Sequence, residues 1–177
     1  HCDKKTGPTP DEQIDRFDFG TLYGLVGAVI PQVGKSTQWF FDVAGKAMAL
    51  AGQWDGKVPE ELKMALRGIY SSSKGAWKEL ALITGLNFTH NSENVNNQNI
   101  KRSRTKGTFK YFNDQRLGLK LAKANQQVLQ EKFEAVITDR QYNIGLHDDN
   151  IILTGGVALN ITNNENIKNT FKLNTFV

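Results

Sequence analysis

Two short glycine-containing segments hold the residue types best suited to binding chemistry in this 177-residue chain. Residues 151–160 read IILTGGVALN. Ile151, Ile152 and Leu153 suit a short buried strand. Gly155 and Gly156 suit a tight turn that another group can approach closely, because neither carries a Cβ. Val157, Ala158 and Leu159 then read as the first turn of a helix. α/β proteins place ligands at such strand–turn–helix junctions, where strand ends open into a crevice and the first helical N–H groups lack partners. The second segment, residues 44–51, reads AGKAMALA. Gly45 and Lys46 stand where a short helix would open, and its N–H groups plus one Lys charge would make a phosphate contact. Gly52 would close that helix.

Other chemistries find less support. Gly34, Lys35 and Ser36 carry the ending of a phosphate-binding loop, but the pattern needs a glycine at position 29, which is Val29. A polar turn after a helix is the better reading. His1, His90 and His147 are far apart, without HxxxH or HxH spacing. His147, Asp148 and Asp149 read as a hydrated turn, not as a cation site. No serine or cysteine sits in a nucleophile elbow, and no paired carboxylates stand out.

The net charge is +4, much of it in residues 101–106, KRSRTK, which is too local for a nucleic-acid signature. The single cysteine, Cys2, permits no internal disulfide and fits a reducing compartment, so a cytoplasmic location is expected. No apolar run is long enough for a membrane span, and the polar N-terminal stretch has no signal-peptide pattern.

Several elements must hold the two segments. Residues 18–30, DFGTLYGLVGAVI, carry glycines at 20, 24 and 27 and predict a buried helix with a smooth face, which Pro31 would end or break. Thr9 and Pro10 could cap and open an earlier helix. Glu60 and Glu61 followed by Leu62, Ala65, Leu66 and Ile69 predict an amphipathic helix with an acidic first turn. Trp77, Leu80, Leu82 and Ile83 predict another short one. Residues 87–108 are rich in Asn and read as a flexible insertion. Over residues 112–138, Leu117, Leu121, Ala124, Val128, Leu129, Phe133 and Val136 recur at helical spacing, with Lys and Gln on the other face. A short helix over 163–170 and a strand within 171–177 follow. The expected fold class is α/β and helix-rich, in one domain over residues 1–177.

Four stretches, taken in order, resemble one family. Residues 18–23 (DFGTLY) resemble its S-L-G-x-L-Y segment, and residues 44–51 (AGKAMALA) resemble E-G-K-V-M-G-L-A. Residues 121–131 (LAKANQQVLQE) resemble a helix L-A-x-x-x-Q-x-x-L-E, and residues 154–160 (TGGVALN) resemble A-G-G-V-A-L-N. The chain thus resembles the O-carbamoyltransferases of the nodulation-factor, cephamycin and tobramycin type, over roughly residues 17–52 and 112–177.

The resemblance implies part of an actin-like, ribonuclease H-like ATPase domain, mainly its second subdomain. It implies that Gly155 and Gly156 lie against adenosine, that Asn160 offers its amide to the ribose or phosphates, and that Gly45 and Lys46 lie across the cleft. It assigns no catalytic residue within this segment. Asp18 stands where the family has Ser, and an acid there would repel a phosphate unless a metal intervened. The implied ligands are ATP and carbamoyl-adenylate, made from carbamoyl phosphate and ATP, with a small hydroxylated acceptor. A divalent metal, Fe or Mg, is also implied, its ligands lying outside this segment. The remainder of the same polypeptide is the expected partner, the isolated segment is expected to be inactive, and membrane and nucleic acid are not expected partners. The alternative is a non-catalytic actin-like module that binds a nucleotide.

Overall fold

The computed structural model describes residues 19–34, 40–88, 107–109, 115–143 and 150–177. The chain is α/β and helix-rich, as its periodicities predict. The glycine-spaced stretch forms helix α1 (Phe19–Val29), buried continuously from Tyr23 to Val29. Its small residues explain how. A Cβ on Gly27 would lie 2.9 Å from Val43 Cγ1 and 3.0 Å from the Ala47 Cβ, so the next long helix crosses α1 nearly backbone to backbone there. Pro31 marks a break in the helical structure, as expected, since α1 stops at Val29. After a bend at Ile30 it opens a one-turn helix α2 (Pro31–Gly34), since a proline at the first helical position gives up no hydrogen bond. The rest of the phosphate-loop-like stretch, residues 35–37, lies outside the described residues.

Helix α3 (Phe40–Gly52) corrects the reading of Gly45 and Lys46. They do not open a helix. The helix starts at Phe40, so Gly45 and Lys46 fall in its second turn, past the first four residues whose N–H groups lack intrahelical partners. Gly52 does end it, as expected. Helix α4 (Glu60–Tyr70) buries Leu62, Ala65, Leu66 and Ile69, the stripe its periodicity marks. Helix α5 (Ala76–Thr84) buries Ala76, Leu80 and Thr84 and leaves Leu82 exposed. Strands β1 (Leu86–Phe88) and β2 (Gly107–Phe109) pair antiparallel, with Leu86 opposite Phe109. Both ends of the expected insertion are therefore strand, and residues 89–106 lie outside the described residues.

Helix α6 (Gln115–Asn143), 29 residues long, is the spine. It packs against α1, α3 and α4, and Leu121, Ala124, Val128 and Leu129 are fully buried in the shared core. Each of the buried Leu and Val side chains contributes about 1.5–3 kcal/mol relative to exposure. Because α6 is covered on more than one side, Asn125 and Gln126 are also buried, although the sequence assigns Gln to the solvent face. Val136, at 37% exposure, is not core.

After α6 the chain makes a βαβ unit. Strand β3 (Asn150–Ile152) leads through a one-turn 3-10 helix (Gly156–Leu159) into helix α7 (Ile161–Phe171) and strand β4 (Asn174–Phe176). β3 and β4 pair in parallel, with Ile152 opposite Phe176. The residues expected as a buried strand are only partly so: Leu153 is buried and Ile152 is 74% exposed. Val157–Leu159 belong to the 3-10 turn and not to the following helix, which begins at Ile161. Ile137, Leu153, Ala158, Ile167 and Leu173 form a small second core. Phe133 packs against both cores and joins them. Among the described residues no helix is long and apolar enough to cross a membrane.

Candidate functional site

A cleft of about 400 Å³ opens between α1, α3 and the 3-10 turn. From α1 it takes Gly20, Tyr23 and Gly24, and from α3 it takes Ala44, Gly45 and Met48. The turn supplies Gly156, Val157 and Asn160. Small residues make the room. A Cβ on Gly45 or on Gly156 would meet no atom within 4 Å, so both glycines border open space.

The expected site residues separate into three groups. Gly45, Gly156 and Asn160 line the cleft. Gly155 does not line it; its role is conformational. Its φ of +80° and ψ of −174° lie in a region essentially reserved for glycine, and this turns the chain from β3 into the 3-10 helix. Lys46 is exposed and is not a lining residue, because one helical step from Gly45 rotates its side chain away from the cleft edge. Among the described residues no Lys, Arg, Asp or Glu lines the cleft. Asp18 lies outside the described residues.

Asn160 does not present an idle amide. Its Oδ1 accepts the Asn163 backbone N–H at 3.0 Å and so caps α7. Its Nδ2 donates to Gln126 Oε1 at 2.9 Å, and Gln126 Nε2 donates back to Asn160 Oδ1 at 3.3 Å. The Tyr23 hydroxyl, on α1, donates to the same Gln126 Oε1 at 3.0 Å. Beside this chain, the Tyr70 hydroxyl donates to Asn125 Oδ1 at 2.9 Å, and Asn125 Nδ2 donates to the Tyr23 carbonyl at 3.1 Å. Burial holds the Tyr23 hydroxyl far above the ordinary tyrosine range, and that of Tyr70 likewise, so both remain protonated donors. Among the described residues the cleft therefore has mostly apolar walls over a hydrogen-bonded floor, the composition of a small-molecule site with a few placed polar groups.

Tyr23 and Gln126 were not singled out as site residues by sequence reasoning, though each lies in a stretch that carries the family resemblance. The available signal was polarity: Gln126 interrupts an otherwise apolar face of α6, and a polar residue on a core face needs a partner. Among the described residues no group of His, Cys, Asp and Glu side chains could hold a metal ion, so the divalent metal implied by the resemblance finds no ligand set there. His1, His90 and His147 lie outside the described residues. No protein-family model, curated protein or solved structure matches the chain.

Proposed function

We propose that the cleft is the nucleotide-binding wall of an actin-like carbamoyltransferase, serving ATP or carbamoyl-adenylate. In the full reaction the acceptor hydroxyl oxygen bonds the carbamoyl carbon, the bond from that carbon to the adenylate phosphate oxygen breaks, AMP leaves, and the hydroxyl proton passes to a base. One observation carries this reading. The stretches 18–23, 44–51 and 154–160, far apart in the chain and resembling one family, each contribute residues to a single cleft: Gly20 and Tyr23, Ala44 and Gly45, Gly156 and Asn160. The fourth stretch, 121–131, supplies Gln126 beneath them.

The apolar walls and glycine edges suit the flat face of a purine base, where a side chain at Gly156 would obstruct the approach. The assignment of Gly45, Gly156 and Asn160 to nucleotide contact is retained, whereas Gly155 shapes the turn without bordering the cleft and Lys46 is given no part in it.

Calorimetric titration of the chain with a non-hydrolysable ATP analogue tests the reading. Binding is expected for the unaltered chain, with about a tenfold or greater loss in Gly156→Val, which fills the cleft edge. Equal affinities for the two would refute the site. Binding with no carbamoyl transfer by the full-length polypeptide would favour the non-catalytic module instead.

A further inference from the structure

The βαβ unit of residues 150–177 meets the helical core along a seam whose chemistry differs from that of the core itself. Helix α7 rests chiefly on α6 and β4. Its contacts with α6 are polar and evenly spaced. Gln126, Gln130 and Glu134 stand four residues apart on α6, and so share one face. Gln126 exchanges two hydrogen bonds with Asn160. Gln130 Nε2 donates to the Thr162 carbonyl at 3.4 Å, and Glu134 Oε1 accepts from Asn166 Nδ2 at 2.6 Å. Among the described residues, apolar contact across the seam comes from Phe133 and Ile137, which α6 adds to the small second core, and from Val157, which packs against the first. Asn163 lies one turn after Asn160 and one turn before Ile167, on the same face of α7. It is fully buried, yet neither its Oδ1 nor its Nδ2 meets a hydrogen-bond partner in the chain. The Asn164 Oδ1 beside it is also buried and unbonded.

Opening such a seam replaces amide–amide hydrogen bonds by amide–water ones at little net cost, and it gives the Asn163 carboxamide the partners it lacks. Opening the helical core would expose Leu62, Leu66, Leu121 and Leu129 to water with no such return. We infer that the βαβ unit undocks from α6 as one body while α1, α3, α4 and α6 stay packed, and that the buried Asn163 amide sets how often it does so. Gly156, Val157 and Asn160 of the unit form one wall of the cleft, and α1 and α3 form the other. Undocking therefore parts the walls. The unit is a gate: open, it admits a ligand, and a ligand that touches both walls holds it shut. The gate goes beyond the nucleotide reading and acts on any occupant of the cleft.

Hydrogen exchange of the whole unliganded chain, followed by mass spectrometry on peptides from α7 and from residues 121–129 of α6, tests this. The α7 amides are expected to be protected at least about tenfold less than those of residues 121–129. Ile69→Val trims the helical core away from the seam. It is expected to lower protection of residues 121–129 about two- to tenfold and to leave α7 unchanged, because undocking keeps residue 69 in place. Equal protection of the two segments, or an equal fall in both, overturns the gate. Asn163→Leu exchanges the unbonded amide for an apolar side chain of similar size, and it is expected to raise α7 protection about fivefold or more. Protection left unchanged or lowered, the outcome when trapped water already satisfies the amide, overturns the role of Asn163. Should that variant not fold, the Ile69→Val comparison still decides whether the unit undocks. No readout here uses a nucleotide, so uniform exchange leaves the nucleotide reading standing, and a chain that binds no ATP analogue leaves the gate standing.

Discussion

Asn160 and Gln126, 34 residues apart in sequence, face each other carboxamide to carboxamide, with Asn160 Nδ2 donating at 2.9 Å and Gln126 Nε2 donating back at 3.3 Å. The pair ties the cap of α7 to the middle of α6. It therefore joins the turn after β3 to the helical core, and it puts a polar floor under a cleft whose walls are mostly apolar. Its energy is modest per bond, about 0.5–1.5 kcal/mol, but an amide left buried without its partner costs about 1–3 kcal/mol.

Asn160→Ala is accordingly expected to lower stability by about 2–4 kcal/mol in urea unfolding, combining the lost cap with the stranded Gln126 amide. Asn160→Ser separates the two effects. A serine hydroxyl can accept the Asn163 N–H but is too short for Gln126, so its loss should lie between those of alanine and the unaltered chain. A serine variant as stable as the unaltered chain would show that the Gln126 pairing contributes nothing.

Gly27 and Gly45 belong to the packed pair α1 and α3, yet alanine should act on them with opposite sign. At Gly27 the new methyl would stand 2.9 Å from Val43 Cγ1 and 3.0 Å from the Ala47 Cβ, forcing the helices apart at a cost of about 1–3 kcal/mol. At Gly45 it would meet open space in mid-helix and stabilise by about 0.5–1 kcal/mol through the better helix propensity. Thermal denaturation of the two variants is the check, and a matching sign would contradict this packing of α1 on α3.

Gly155 and Gly156 are adjacent but do different things. A non-glycine residue at φ +80° and ψ −174° is strained by about 1–3 kcal/mol, so Gly155→Ala should lower the melting temperature without filling the cleft. Gly156→Val should do the reverse, with little change in melting temperature and weakened binding of the ATP analogue. Measuring melting temperature and affinity on both variants exposes any exchange of these roles.

Alkaline pH offers a test of the buried hydroxyls. Burial raises the Tyr23 and Tyr70 pKa values above the ordinary 10.0, so the folded state resists releasing these protons. A pKa raised in the folded state means the stability it contributes is complete below pH 10.0 and is lost as pH rises above that value, where the unfolded chain ionises first. Phenolate absorbance is expected to show both groups silent until the chain unfolds. Tyr70→Phe should remove part of the alkaline instability, and two freely titrating hydroxyls near pH 10.0 in the folded chain would contradict the burial.

The helices were legible because their signals are local. Leu62, Ala65, Leu66 and Ile69 mark the buried stripe of α4, and Leu121, Ala124, Val128 and Leu129 mark that of α6, since helical periodicity is a property of a dozen neighbouring residues. Less was legible at Gly45 and Lys46. A Gly-Lys pair has the composition of a helix start, but the helix already begins at Phe40, and helix length in a folded chain is set more by tertiary packing than by such a local signal.

By itself, then, the sequence determined the helix-rich α/β class, most of the core and the glycine turn of residues 155–156, all set by short-range pattern and backbone permissiveness. Only the tertiary structure decided that α1, α3 and the 3-10 turn enclose one cleft, that Gly156 borders it while Gly155 shapes the chain, and that Lys46 turns away. It alone coupled Tyr23 to Gln126 across 103 residues and Gln126 to Asn160 across 34. A buried hydrogen bond needs its partner delivered to within about 3 Å in the right orientation, and the packing of α6 between α1 and α7 does this, where no local pattern of residues could record it.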